Sequence, residues 1–216
     1  PAGTFVKTAI SSVVVPTGVK EIGPAFGVCP NLESVVLPDT LEILGNSVFM
    51  SCSKLSQINL PKGLTEIPST IFQRCTSLKE IHLPESIVKI GDRAFENTGL
   101  EEIEIPASVK EIGYSAFAGT KLTSVTLPKA LETLDYAVFG NCENLTNIVV
   151  SSECSGLETV DFYKATALTK FYYTGTDAQW AEKGLTLGNV ERLYKDVAMF
   201  FYGARSEQAV REEVSA

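Results

Sequence analysis

Six prolines, Pro16, Pro38, Pro61, Pro84, Pro106 and Pro128, recur every 22 or 23 residues, and six phenylalanines, Phe26, Phe49, Phe72, Phe95, Phe117 and Phe139, keep step with them. Two residue types repeating in phase over more than half of a 216-residue chain leave few folds open. A repeat of this length is one supersecondary unit that can bury its apolar side only against its neighbours, so the chain is expected to stack as a solenoid. Stacked coils share one continuous core, which predicts one elongated structural domain rather than two small ones.

A single coil reads Leu32-x-x-Val35-x-Leu37-Pro38-x-x-Leu41-x-x-Leu44-Gly45-x-x-Val48-Phe49-x-x-Cys52. Val35 and Leu37 alternate with Ser34 and Val36, a period of two that predicts a short strand. Val13/Val15, Ile58/Leu60, Ile81/Leu83, Ile103/Ile105, Val125/Leu127 and Ile148/Val150 are the equivalent pairs. Strands one coil apart must run parallel, about 4.8 Å from each other. Each proline lacks the N–H a ladder needs and is expected to end its strand. An apolar pair at spacing three follows, then usually a glycine (Gly23, Gly45, Gly91, Gly113), expected at a corner where φ turns positive. Asn46, Ser69 and Asp92 come next and are expected to cap short helical turns. The Ala-Phe or Val-Phe pair then plugs the core. Where Cys29, Cys52, Cys75 or Cys142 ends the coil, the next leucine lies three residues on; after Thr98 or Thr120 it lies two on.

Beyond Leu145 the rhythm shortens. Strand-like segments at Ile148/Val150, Val160/Phe162 and Phe171/Tyr173 lie only 12 and 11 residues apart, and they lack the glycine and phenylalanine halves. The expected organisation is therefore regular repeats over 1–150, shortened repeats over 151–174, a cap over 175–203 and a polar tail over 204–216. In the cap, Thr176 is expected to start a helix over 177–183 ended by Gly184, Trp180 to cover the open core, and 197–202 to form a last strand.

The repeat string, Leu-x-x-Ile-x-Leu-Pro-x-x-Leu-x-x-Ile-Gly-x-x-Ala-Phe-x-x-Cys-x-x-Leu, resembles that of the BspA-like leucine-rich repeat family over about residues 2–150. Tyr173-x-Gly175-Thr176-x-x-Gln179-Trp180 is similar to a segment that ends such arrays in bacterial relatives. The resemblance implies an α/β leucine-rich-repeat solenoid, a right-handed and β-rich superhelix with a parallel sheet on one face and short helical or irregular turns on the other. It also implies a secreted or surface-attached bacterial protein, extracellular or on the cell surface, whose relatives act as adhesins for host or bacterial proteins. Pro68 and Asp135 depart from the pattern at the glycine position. The chain starts at Pro1, partway through a repeat, so a cut or processed N-terminus is expected.

A net charge of −8 argues against a nucleic-acid partner, and no apolar run is long enough for a membrane-spanning helix. The in-register cysteines read as buried free thiols bonding turn backbone, with a Cys142–Cys154 bridge as an alternative; a straight column does not supply the tetrahedral cluster that zinc needs. His82, the only histidine, sits beside the expected position of Glu104, the start of a general-base pair. No nucleophile is placed for it, so no catalytic residue, metal or cofactor is expected. The outward columns of the sheet supply the candidate binding face: Gln57, Asn59, Glu80, His82, Glu102, Glu104, Ser124 and Thr126, with Tyr172 and Asp161 extending it towards the cap. Glu80, Glu101, Glu102 and Glu104 crowd its middle, where repulsion would be relieved by a basic partner or cation, or simply by solvent. The expected function is a monomeric, non-catalytic interaction or adhesion module binding a protein or other macromolecule through this face. A structural spacer is the alternative, and an enzyme the third.

Overall fold

A computed structural model describes residues 4–157, 165–182 and 198–201. Within them the chain is a parallel β-solenoid in which every strand pair is parallel. Strands are numbered along the chain. Those before the proline position are β1 (Ser12–Val14), β3 (Ser34–Val36), β5 (Gln57–Ile58), β9 (Ser124–Thr126), β11 (Asn147–Val150), β12 (Lys170–Tyr173) and β13 (Ala198–Phe201). They form two sheets, β1-β3-β5 and β13-β12-β11-β9. The sequence-derived strand at Val160/Phe162, Gly184 and the tail lie outside the described residues.

Pro16, Pro38, Pro61 and Pro128 follow the ends of β1, β3, β5 and β9. Each of the six prolines also accepts the N–H three residues on at its own carbonyl, as in Leu41 to Pro38 at 3.0 Å and Ile87 to Pro84 at 3.1 Å, so the missing donor and the tight turn sit together. The residues after that turn form a second ladder not expected from the sequence: β2 (Glu21–Ile22) with β4 (Ile43–Leu44), and β10 (Thr133–Leu134), β8 (Glu111–Ile112), β7 (Lys89–Ile90) and β6 (Glu66–Ile67) in that order. Each two-residue strand exposes its first side chain and buries its second.

The glycines differ from expectation. Gly23, Gly45, Gly91 and Gly113 are absent from the positive-φ positions, which fall two residues later on Ser47, Thr70, Arg93, Ser115 and Ala137. What demands glycine is close approach. A β-carbon on Gly91 would stand 2.6 Å from the Ser69 nitrogen, and one on Gly113 would stand 2.8 Å from the Asp92 nitrogen. The polar residues after the glycine reach across coils rather than capping their own turn: Asn46 Oδ1 accepts the Ser69 N–H at 3.0 Å and Asp92 Oδ1 accepts the Tyr114 N–H at 3.1 Å. The phenylalanine side of each coil is turn, not helix. In the coils of Phe49, Phe72, Phe95 and Phe117 three N–H groups reach the next coil's carbonyls, for example Ser47 to Ser69, Phe49 to Ile71 and Ser51 to Gln73. The result is a third hydrogen-bonded strip.

Between these strips lies one apolar core running from Val15 to Trp180. Phe5, Phe26, Phe49, Phe72, Phe95, Phe117 and Phe139 stack through it with ring centroids 5.2 to 5.9 Å apart. Aromatic pairs of this kind contribute about 0.5–1.5 kcal/mol each beyond their buried area. Cys29, Cys52, Cys75, Cys142 and Cys154 are all free and buried, so no Cys142–Cys154 bridge forms. Their thiols donate to carbonyls of the preceding coil, as Cys52 to Phe26 and Cys75 to Phe49 at 3.1 Å.

The only helix among the described residues is α1 (Asp177–Glu182). Thr176 caps it through a reciprocal box: Thr176 Oγ1 accepts the Gln179 N–H at 3.2 Å and Gln179 Oε1 accepts the Thr176 N–H at 2.8 Å. Trp180 is 4% exposed and meets Phe171 and Tyr173 edge-on at 5.4 and 5.0 Å.

Candidate functional site

The pre-proline strands carry their inward residues into the core and turn the alternate ones outward. Val35 and Leu37 are buried, whereas Val36 between them and Val14 at the equivalent position of β1 are 51% and 73% exposed. Over coils two to six the outward residues line a single open groove of about 960 Å3. Gln57, Asn59, Glu80, His82, Glu102, Glu104, Ser124 and Thr126 all border it.

Tyr172 does not. It is 5% exposed, in register between Val149 and Phe200 in the middle of the C-terminal sheet. Val149 is likewise buried. The runs Ile148-Val149-Val150 and Phe171-Tyr172-Tyr173 carry no polar alternation, the pattern of strands covered on both faces, and that was the signal against placing Tyr172 outward. Asp161 lies outside the described residues. Glu101 also leaves the group: it pairs with Lys79 at 2.9 Å, away from the groove lining, and the adjacent ammonium holds its carboxyl below the usual carboxylate range.

The floor of the groove differs from a regular ladder. The segments at Ile81/Leu83 and Ile103/Ile105, expected as strands, run through without strand pairing, so β5 and β9 are both sheet edges. In these coils the pairing sits instead on the second ladder, β6 to β10. Ile58, Ile81 and Ile103 are half-buried, while Val35 and Val125 on either side are buried. Asn59 closes the β5 side. Its Oδ1 accepts the Leu37 N–H at 2.8 Å and its Nδ2 donates to the Leu37 carbonyl at 2.7 Å. A side-chain amide thus takes the place of a ladder partner.

Three carboxylates and one imidazole line the groove with no lysine or arginine among them. The thiols cannot serve His82 as nucleophiles, because they are buried against the phenylalanine turns. Burial pushes the Cys52 thiol up to about 11 and Cys75 and Cys142 upward as well. Among the described residues no group of three or more His, Cys, Asp or Glu side chains converges to hold a metal ion, and no helix is long and apolar enough to cross a membrane.

Several solved structures share this architecture. A leucine-rich repeat protein from Bacteroides ovatus ATCC 8483 is 30% identical over 76% of this chain with a TM-score of 0.66, and the match spans about half, 48%, of that protein. The T. pallidum leucine rich repeat protein is 29% identical, with 90% of this chain and 87% of that one covered and a TM-score of 0.65. A leucine rich cell surface protein from Faecalibacterium prausnitzii A2-165 is 25% identical over 80% of this chain and 62% of its own, with a TM-score of 0.55. No curated protein matches the sequence significantly. The repeat pattern of the BspA type leucine rich repeat region matches residues 1–123 and 88–179 in six copies. With its proline-ended strands, stacked phenylalanines and six matched repeats, the chain belongs to the BspA-type leucine-rich repeat family.

Proposed function

We propose that this chain is a non-catalytic interaction module that presents the groove to a protein partner at the cell surface, in the manner of an adhesin. The observation that carries the reading is convergence: eight outward residues from successive coils border one groove, polar at its rim and half-apolar at its floor. Solenoids build such extended surfaces from side chains that the core does not need. Family membership supports a protein-binding scaffold, and a similar structure is that of a leucine rich cell surface protein, which supports the location. The reading gives His82 no catalytic role.

The test is binding of the purified chain to an array of matrix and cell-surface proteins, repeated with Gln57→Trp and Ser124→Trp. Both side chains are exposed on the groove, so the added bulk blocks the face without entering the core. Loss of a captured partner with both variants supports the face. Capture that survives both, or no capture at all, returns the chain to the role of a spacer.

A further inference from the structure

We infer that the groove takes an extended polypeptide segment rich in lysine and arginine; this rests on reading the groove as an interaction face and names the partner's chemistry. The first ground is charge. In the column that follows the proline turn, acidic residues are matched by the lysine one coil before: Glu42 with Lys20, Glu111 with Lys89 and Glu132 with Lys110, while Glu101 beside the groove pairs with Lys79. Glu80 and Glu102 have no such ion pair among the described residues. They occupy the same position on neighbouring coils, where like charges oppose each other. The groove lining carries no lysine or arginine to offset them, so a basic ligand complements its charge.

The second ground is independent of charge and points to a polypeptide rather than an ion. The main chain at Ile81, His82 and Ile103 joins no ladder and makes no hydrogen bond among the described residues. These segments lie between the edges of β5 and β9. Backbone polar groups seek partners of both kinds, and an extended peptide carries both at regular spacing, whereas a metal ion or a polyamine does not. The half-buried Ile58, Ile81 and Ile103 suit the aliphatic stems of lysine and arginine, whose heads then reach the carboxylates. Five coils spaced by about 4.8 Å span roughly 19 Å, the reach of about six extended residues.

The experiment titrates the full chain with a fluorescent peptide of about eight alternating lysines and threonines, with spermine and calcium as separate probes. Saturable peptide binding is expected, weakening about tenfold between roughly 50 and 300 mM salt as surface charges are screened. The double variant Glu80→Gln/Glu102→Gln is expected to weaken it about tenfold. Glu42→Gln/Glu132→Gln removes the same net charge from the paired column and is expected to leave it unchanged. The inference is overturned if both double variants weaken binding equally, if spermine or calcium binds as tightly as the peptide, or if the peptide does not bind. Should the peptide fail while Gln57→Trp and Ser124→Trp still abolish capture of a partner, the interaction face stands and the basic ligand alone is refuted.

Discussion

The Cys75 thiol donates to the Phe49 carbonyl oxygen at 3.1 Å, across the boundary between two coils. Cys52 repeats the bond to Phe26, and Cys142 to Phe117 at 3.2 Å. The cysteines are thus fasteners between coils, and their burial holds them protonated. Where threonine stands instead, Thr98 bonds Phe95 within its own coil at 2.9 Å. The bond changes direction at one of the two places where the repeat is a residue shorter.

The thiols give a pH prediction. Cys52 ionises at about 11 in the folded chain against an ordinary 9.0, so folding favours its protonated form. That contribution is fully present below about pH 9 and is lost as pH rises from there to about 11. Denaturation midpoints measured from pH 7 to 11 are therefore expected to be flat and then to decline. Thiol labelling at pH 8 is expected to be negligible in the native chain and complete for all five cysteines in denaturant.

Gly91 is expected to resist the smallest substitution. Gly91→Ala sets a β-carbon against the Ser69 nitrogen and within 3.0 Å of the Ile67 carbonyl, overpacking that costs about 1–3 kcal/mol. Gly63→Ala meets nothing within 4 Å and is expected to be neutral. Paired urea titrations separate the two, and equal effects would refute close approach as the reason for glycine.

The phenylalanine column is expected to weaken most in its interior. Phe72 is fully buried between Phe49 and Phe95, so Phe72→Ala should cost about 3–5 kcal/mol. Phe5, 43% exposed with a single stacked partner among the described residues, should lose far less on the same change. Chemical denaturation of both variants measures the gradient.

Asn59 borders the groove but is committed to Leu37 through two bonds. Asn59→Ala leaves that N–H and carbonyl without their partner, a loss of about 1–3 kcal/mol. It is expected to lower the thermal midpoint more than it lowers affinity for any ligand of the face. The reverse ranking would make Asn59 a recognition residue.

Helix α1 carries its own reporter, the only tryptophan of the chain. Thr176→Ala removes half of the capping box, worth about 1 kcal/mol. Tryptophan emission should then red-shift at lower denaturant than the loss of far-ultraviolet strand signal. Coincident transitions would show that the helix and the coils unfold as one.

The sequence alone determined the coil count, the parallel direction, the core and most of the groove rim. Each is a consequence of periodicity: Val35 and Leu37 face inward because alternation allows nothing else, and Pro38 ends its strand because it has no N–H. Even the reciprocal Thr176/Gln179 cap was half legible, since the threonine stood in the right place. Only the tertiary structure decided which edges of neighbouring coils bond. The left-handed turns at Ser47 and Thr70, the second ladder from Glu66 to Leu134, and the unpaired floor at Ile81 and Ile103 depend on how closely successive coils approach at each corner. No single repeat encodes that distance. Tyr172 keeps the alternate position on its strand, outside the core cluster, yet is buried, because water reaches the outer face of a strand only where nothing covers it.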